Sequence, residues 1–141
     1  MNVQARHAGA SVFELAYCKH NAISDQSPEY GGEGLGPMPT EYLLWSIAAC
    51  FGQSVLFVAG KMRKKIEGLT LDVRANKDLS QQRFEAVTIT VGCTAFDAPL
   101  EKILQLAKQY CFVTNSLSIP VHCIIEKNQY DVTVEKLRAK N

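Results

Sequence analysis

The rhythm of apolar and polar residues changes several times along this chain, and each change marks a different element. Leu69, Leu71, Val73 and Ala75 alternate with Thr70, Asp72, Arg74 and Asn76, the period of two that a half-buried strand requires. Val87, Ile89 and Val91 alternate with Thr88 and Thr90 in the next one. The period then lengthens. Leu100, Ile103, Leu104, Ala107 and Cys111 recur at helical spacing, so a second helix opened by Asp97 and Pro99 carries Cys111 on the same stripe as Leu100. Val121, Cys123 and Ile125 line one face of a further strand, and Tyr130 to Val134 predicts the last. Near the start, Val3 to Tyr17 predicts one or two antiparallel strands with a turn near Gly9, and Lys19 to Gln26 adds a third short one.

The longest apolar run, Tyr42 to Ala59, sits between these strand patterns. Thr40 is the expected N-cap, Glu41 puts negative charge in the first turn, and the helix should continue to about Ile66 before Gly68 stops it. The run is nearly long enough to span a bilayer. It contains Ser46, Gly52, Gln53 and Ser54, however, and its flanks read as compact β structure. The expectation is therefore a buried central helix of a soluble domain, often shared across a dimer. Strands, long helix, two strands, helix and two strands predict one α+β domain over residues 1–141 with an antiparallel sheet.

Composition narrows the function classes. A net charge of +1 provides no field to attract nucleic acid or an acidic membrane. The cations Lys61, Arg63, Lys64 and Lys65 read as a solvated helix end that favours the dipole. The five cysteines are odd in number and contain no CxxC pair, which argues against a secreted disulfide framework and fits a reducing cytoplasm. His7, His20 and His122 are isolated from one another, so no metal site is expected. The glycine loop from Pro28 to Pro39 precedes a helix but lacks both GxxxxGK[ST] and GxGxxG, and is expected to shape the approach to the helix. No cofactor is implied.

That leaves the thiols. Cys18, Cys93 and Cys123 lie in or beside strands and read as small core residues. Cys50 is flanked by Ala48 and Ala49, with Ser46 and Ser54 one turn to either side, which leaves room for another segment or a ligand to approach its sulfur. Cys111 ends an amphipathic helix just before the polar turn Thr114-Asn115-Ser116. Two thiols far apart in sequence, each on a helix face, are what a two-cysteine redox site needs.

The segment Gly36-Pro37-Met38-Pro39-Thr40-Glu41-Tyr42-Leu43-Leu44, leading to Ala48-Ala49-Cys50, resembles the first motif of the OsmC/Ohr superfamily. Tyr110-Cys111-Phe112-Val113-Thr114-Asn115-Ser116-Leu117 resembles its second. The resemblance implies an intertwined homodimer with sites at the subunit interface, and cysteine-based reduction of organic hydroperoxides in defence against oxidative stress. By motif match, Cys50 is the peroxidatic thiol and Cys111 the resolving one, reopened by a small dithiol or a thioredoxin-like partner. A helix start some ten residues away cannot ionise a thiol, so a cation is required. The resemblance implies an arginine from the N-terminal strands, for which Arg6 is the candidate and Lys19 or His20 the substitutes, held by a glutamate at the helix start, for which Glu41 is the candidate. Two alternatives of other classes stand beside this: a protein that binds a small thiol or acyl-thioester without turnover, and a thiol redox sensor.

Overall fold

A computed structural model describes residues 1–97 and 99–126. The chain divides into two compact units, Met1–Leu43 and Leu44–Asn141. The first is an antiparallel meander of β1 (Gln4–His7), β2 (Phe13–Tyr17) and β3 (His20–Ser24), followed by a loop. Gly9 turns β1 into β2 with φ +109°, where a glycine has no steric penalty. Cys18 turns β2 into β3 with φ +52°; it is exposed on the hairpin tip, and the expectation of a core cysteine is corrected there. The only buried residues of this unit are Ser24 and Asp25, both polar.

The loop explains the glycines and prolines that precede the long helix α1 (Pro39–Lys61). A Cβ on Gly32 or Gly36 would lie 2.0 Å from the Gln26 carbonyl oxygen or 2.2 Å from that of Ile23, so the loop backbone packs directly on the end of β3. Ser24 Oγ donates to the Pro37 carbonyl at 2.9 Å, and Tyr42 Oη donates to that of Ile23 at 2.7 Å. Asp25 gathers the rest. Its carboxylate accepts from the Ser11 hydroxyl and from the backbone N–H groups of Gln26, Glu33 and Leu35. These donors hold it well below the usual carboxylate range, at about 2; the Ser11 hydroxyl lowers it most, burial opposes, and the three amides lower it further.

Helix α1 begins two residues earlier than its sequence suggests. Met38, not Thr40, is the cap: its carbonyl accepts from the Glu41 and Tyr42 amides, and Pro39 occupies the first helical position, where its missing N–H costs nothing. Glu41 Oε2 reaches back to the Met38 N–H at 2.8 Å, the reciprocal half of a capping box. The far end is also shorter than expected. The helix stops at Lys61 because Arg63 adopts φ +54°, with Arg63 N–H donating to Gly60 and Lys64 N–H to Ala59. This is the paired bonding of a Schellman turn, made without glycine, which is why Gly68 looked like the stop. Ile66–Glu67 is instead the short strand β4, paired with β7 (Ala95–Phe96).

In the second unit, β5 (Thr70–Asp78) and β6 (Arg83–Gly92) form the antiparallel pair that alternation predicts. The expectation of a wholly antiparallel sheet is corrected at β8 (Val121–Ile125), which runs parallel to β6. Helices α2 (Leu100–Tyr110) and α3 (Phe112–Asn115) lie between those strands in sequence and carry the chain back, the crossover that a parallel pair requires. Val87, Ile89 and Val91 of β6 join Ile47, Phe51, Val55 and Val58 of α1 and Leu100, Ile103, Leu104 and Ala107 of α2 in one core. Gly52 lets α1 approach closely: a Cβ there would come 3.1 Å from Leu71. Within the single chain burial of α1 is one-sided, since Trp45, Leu56 and Phe57 are exposed. Tyr130 to Val134 lies outside the described residues.

Candidate redox site

The second unit brings together the two thiols that the sequence keeps sixty-one positions apart. Cys50 is held by α1, whose buried stripe of Ile47, Phe51 and Val55 fixes the helix against the core and leaves Cys50 half-buried beside it. Ser54, one turn on, donates its hydroxyl to the Cys50 carbonyl at 2.9 Å and so is turned back onto the helix backbone. Ala49 is exposed and Ala48 half-buried, so small side chains border the sulfur.

Cys111 is fully buried, but it does not end α2 on a continuing helical stripe. Its ψ of 98° is extended, and it is the joint at which α2 stops and α3 starts. The supposed polar turn Thr114-Asn115-Ser116 begins within α3, whose carbonyl at Cys111 accepts from Asn115 N–H at 3.0 Å and from Thr114 Oγ1 at 3.3 Å. Burial pushes the Cys111 thiol up. The Thr114 hydroxyl and amide pull it down by hydrogen bonding, and the thiol of Cys50 pushes it up again, through a hydrogen bond and through its charge. The two sulfurs therefore sense each other directly. Burial thus makes the Cys111 thiol hard to ionise, and Cys50 is the more accessible of the two.

Phe57 of α1 and Tyr110, the residue before Cys111, form an aromatic pair. The rings of Phe57 and Tyr110 meet edge to face at 5.2 Å, and Lys61 Nζ sits 4.7 Å from the first and 5.4 Å from the second. Cys93 is buried and Cys123 half-buried in the core, as the sequence suggests; burial raises the Cys123 thiol and the charge of Lys108 lowers it. Among the described residues no three metal-binding side chains cluster.

Arg6 and Glu41 have local partners in the first unit. Arg6 pairs with Glu14, directly opposite it on β2, and the Glu41 carboxylate accepts from the Met38 N–H at the start of α1. Sequence reasoning missed two residues. Thr114 was visible only as part of a polar turn, and Asp25 gave no signal beyond its position before a glycine-rich loop.

The OsmC-like protein family matches residues 31–126, and the chain belongs to it. A solved structure from Psychrobacter arcticus 273-4, described as a candidate osmotic stress induced and detoxification response protein, is 22% identical with a TM-score of 0.78, covering 89% of this chain and 96% of that one. The organic hydroperoxide resistance protein OsmC of Legionella pneumophila is 19% identical with a TM-score of 0.72, covering 89% and 95%. The organic hydroperoxide resistance protein OhrB of Bacillus subtilis is 20% identical with a TM-score of 0.61, covering 89% and 96%. At these identities the shared property is the fold. No curated protein matches the chain.

Proposed function

We propose that this protein is a thiol-dependent peroxidase that reduces organic hydroperoxides through Cys50 and Cys111. The observation that carries this reading is the meeting of the two thiols, with the accessible one able to act by its charge on the buried one. The Cys50 thiolate attacks the terminal peroxide oxygen. The O–O bond breaks, the alkoxide takes up a proton to leave as the alcohol, and Cys50 becomes a sulfenic acid. The Cys111 sulfur then attacks the Cys50 sulfur, water departs, and a disulfide forms. A dithiol, small or carried by a thioredoxin-like protein, takes the disulfide electron for electron back to two thiols. The half-exposed rings of Phe57 and of Tyr110, which precedes Cys111 in the chain, favour an apolar peroxide. In this reading Arg6 turns from Glu14 to supply the positive charge and Glu41 anchors it.

The active form is a cytoplasmic homodimer, with no membrane and no nucleic acid as partner. By length and composition α1 could cross a bilayer, with a mean hydropathy of 1.7. Its buried stripe packs on the sheet of its own unit, and a second copy covers the exposed side. Consumption of cumene hydroperoxide with dithiothreitol tests the chemistry. Wild type should turn over, Cys50→Ser should lose all activity above background, and Cys111→Ser should stop once Cys50 is oxidised. Equal background rates in all three would end the peroxidase reading and leave the ligand-binding one.

A further inference from the structure

The Thr114 hydroxyl is poorly used where it stands. Its bond to the Cys111 carbonyl, at 3.3 Å, is long for a hydroxyl donor, whose usual distance is about 2.7–2.8 Å. That carbonyl already accepts from Asn115 N–H at 3.0 Å, so it would not be left unsatisfied if the hydroxyl turned away. Cys111 is the N-cap of α3 and Thr114 its third residue, so the hydroxyl that meets the Cys111 carbonyl stands beside the same residue's side chain, where it favours negative charge on the sulfur. Thr114 is half-buried, so a charge near it is only partly shared with solvent.

We propose that Thr114 is a positioning residue for the buried thiol. Its hydroxyl turns from the Cys111 carbonyl to the Cys111 sulfur and takes up the charge that appears there when a dithiol opens the Cys50–Cys111 disulfide. The geometry sets the direction of opening. Cys50 is the accessible sulfur, so the reductant thiolate attacks it and forms a mixed disulfide. The Cys50–Cys111 bond breaks, and its electron pair stays on Cys111. The second thiol of the dithiol then displaces Cys50 as a thiolate and leaves as a cyclic disulfide. Leaving-group stability governs such exchange, and here the leaving sulfur has no exposed surface. A donor that can reorient onto it replaces the solvent that burial removes.

This role rests on reading Cys50 and Cys111 as a redox pair, and diamide can close that pair without any peroxide. The test measures the opening of the diamide-formed disulfide by dithiothreitol, by stopped flow from neutral to alkaline pH, in wild type, Thr114→Val, Thr114→Ala and Thr114→Ser. Valine keeps the volume and removes the donor. Opening should slow by about tenfold in Thr114→Val, the worth of one hydrogen bond to a charged group, and its pH profile should move to higher pH. Thr114→Ser should restore both the rate and the profile. If Thr114→Val fails to fold, Thr114→Ala against Thr114→Ser decides. Opening at the wild-type rate with an unmoved profile would overturn the role, as would a serine variant as slow as valine, or a pair that diamide cannot close. Failure of the peroxidase reading appears separately, as a wild type whose disulfide closes and opens yet consumes no hydroperoxide.

Discussion

Asp25 is held as a carboxylate by one hydroxyl and three backbone amides, and this gives the first unit a pH dependence with a defined sign. Its folded-state value of about 2 lies below the roughly 3.9 of an unfolded aspartate. The stabilisation is therefore complete above the unfolded value and is lost as pH falls from about 4 through 2. Asp25→Asn should lower thermal stability at neutral pH, and the gap to wild type should close across that acid window. A gap of constant size down to the lowest pH would mean that the carboxylate charge is not what organises the loop. The same residue shows why single positions are hard to read from sequence. Its four partners come from Ser11, from its own neighbour and from two loop amides, and no spacing rule collects such a set.

At the scale of elements, two glycines tolerate a side chain to opposite degrees. Gly36 cannot accept a Cβ without displacing the Ile23 carbonyl, whereas a Cβ on Gly60, within α1, meets nothing within 4 Å. Gly36→Ala should destabilise by more than about 1 kcal/mol, since backbone must move against backbone. Gly60→Ala should stabilise by up to about 1 kcal/mol through helix propensity alone. Chemical denaturation of the two variants checks both signs at once. Much of the element pattern was legible. Period-two alternation gave β5 and β6, helical spacing gave the face of α2, and turn residues bounded the meander. What alternation cannot carry is strand direction, and so the parallel pairing of β8 had to come from the crossover through α2 and α3. Helical periodicity likewise extends through Cys111 without a break, although the backbone opens there. The break is what the site uses: it leaves a buried sulfur at a joint where Thr114 and Cys50 both reach it. The two motifs located both thiols; their local geometry was set by contacts that no short window contains.

At the scale of the molecule, the question is what covers surface that a single chain leaves open. A three-stranded meander whose only buried residues are Ser24 and Asp25 has no apolar core of its own, and such small sheets need further packing to persist in water. In the second unit, Leu56 is 50% exposed and Phe57 48% exposed on a helix whose opposite side is fully packed. A second copy of the chain would supply apolar surface to both features by symmetry, whereas an unrelated partner would have to match each separately. Wild type should therefore sediment at about twice its 15.6 kDa, with a thermal midpoint that rises with protein concentration. Leu56→Glu places a charge on that surface without entering the core of its own unit, so it should weaken association by several kcal/mol if an interface buries it and leave a monomer of reduced stability. A wild type that sediments as a monomer with a concentration-independent midpoint would refute the dimer. It would also require each unit to persist with its apolar surface in water, and would return α1 to the other environment its length and hydropathy permit, a membrane.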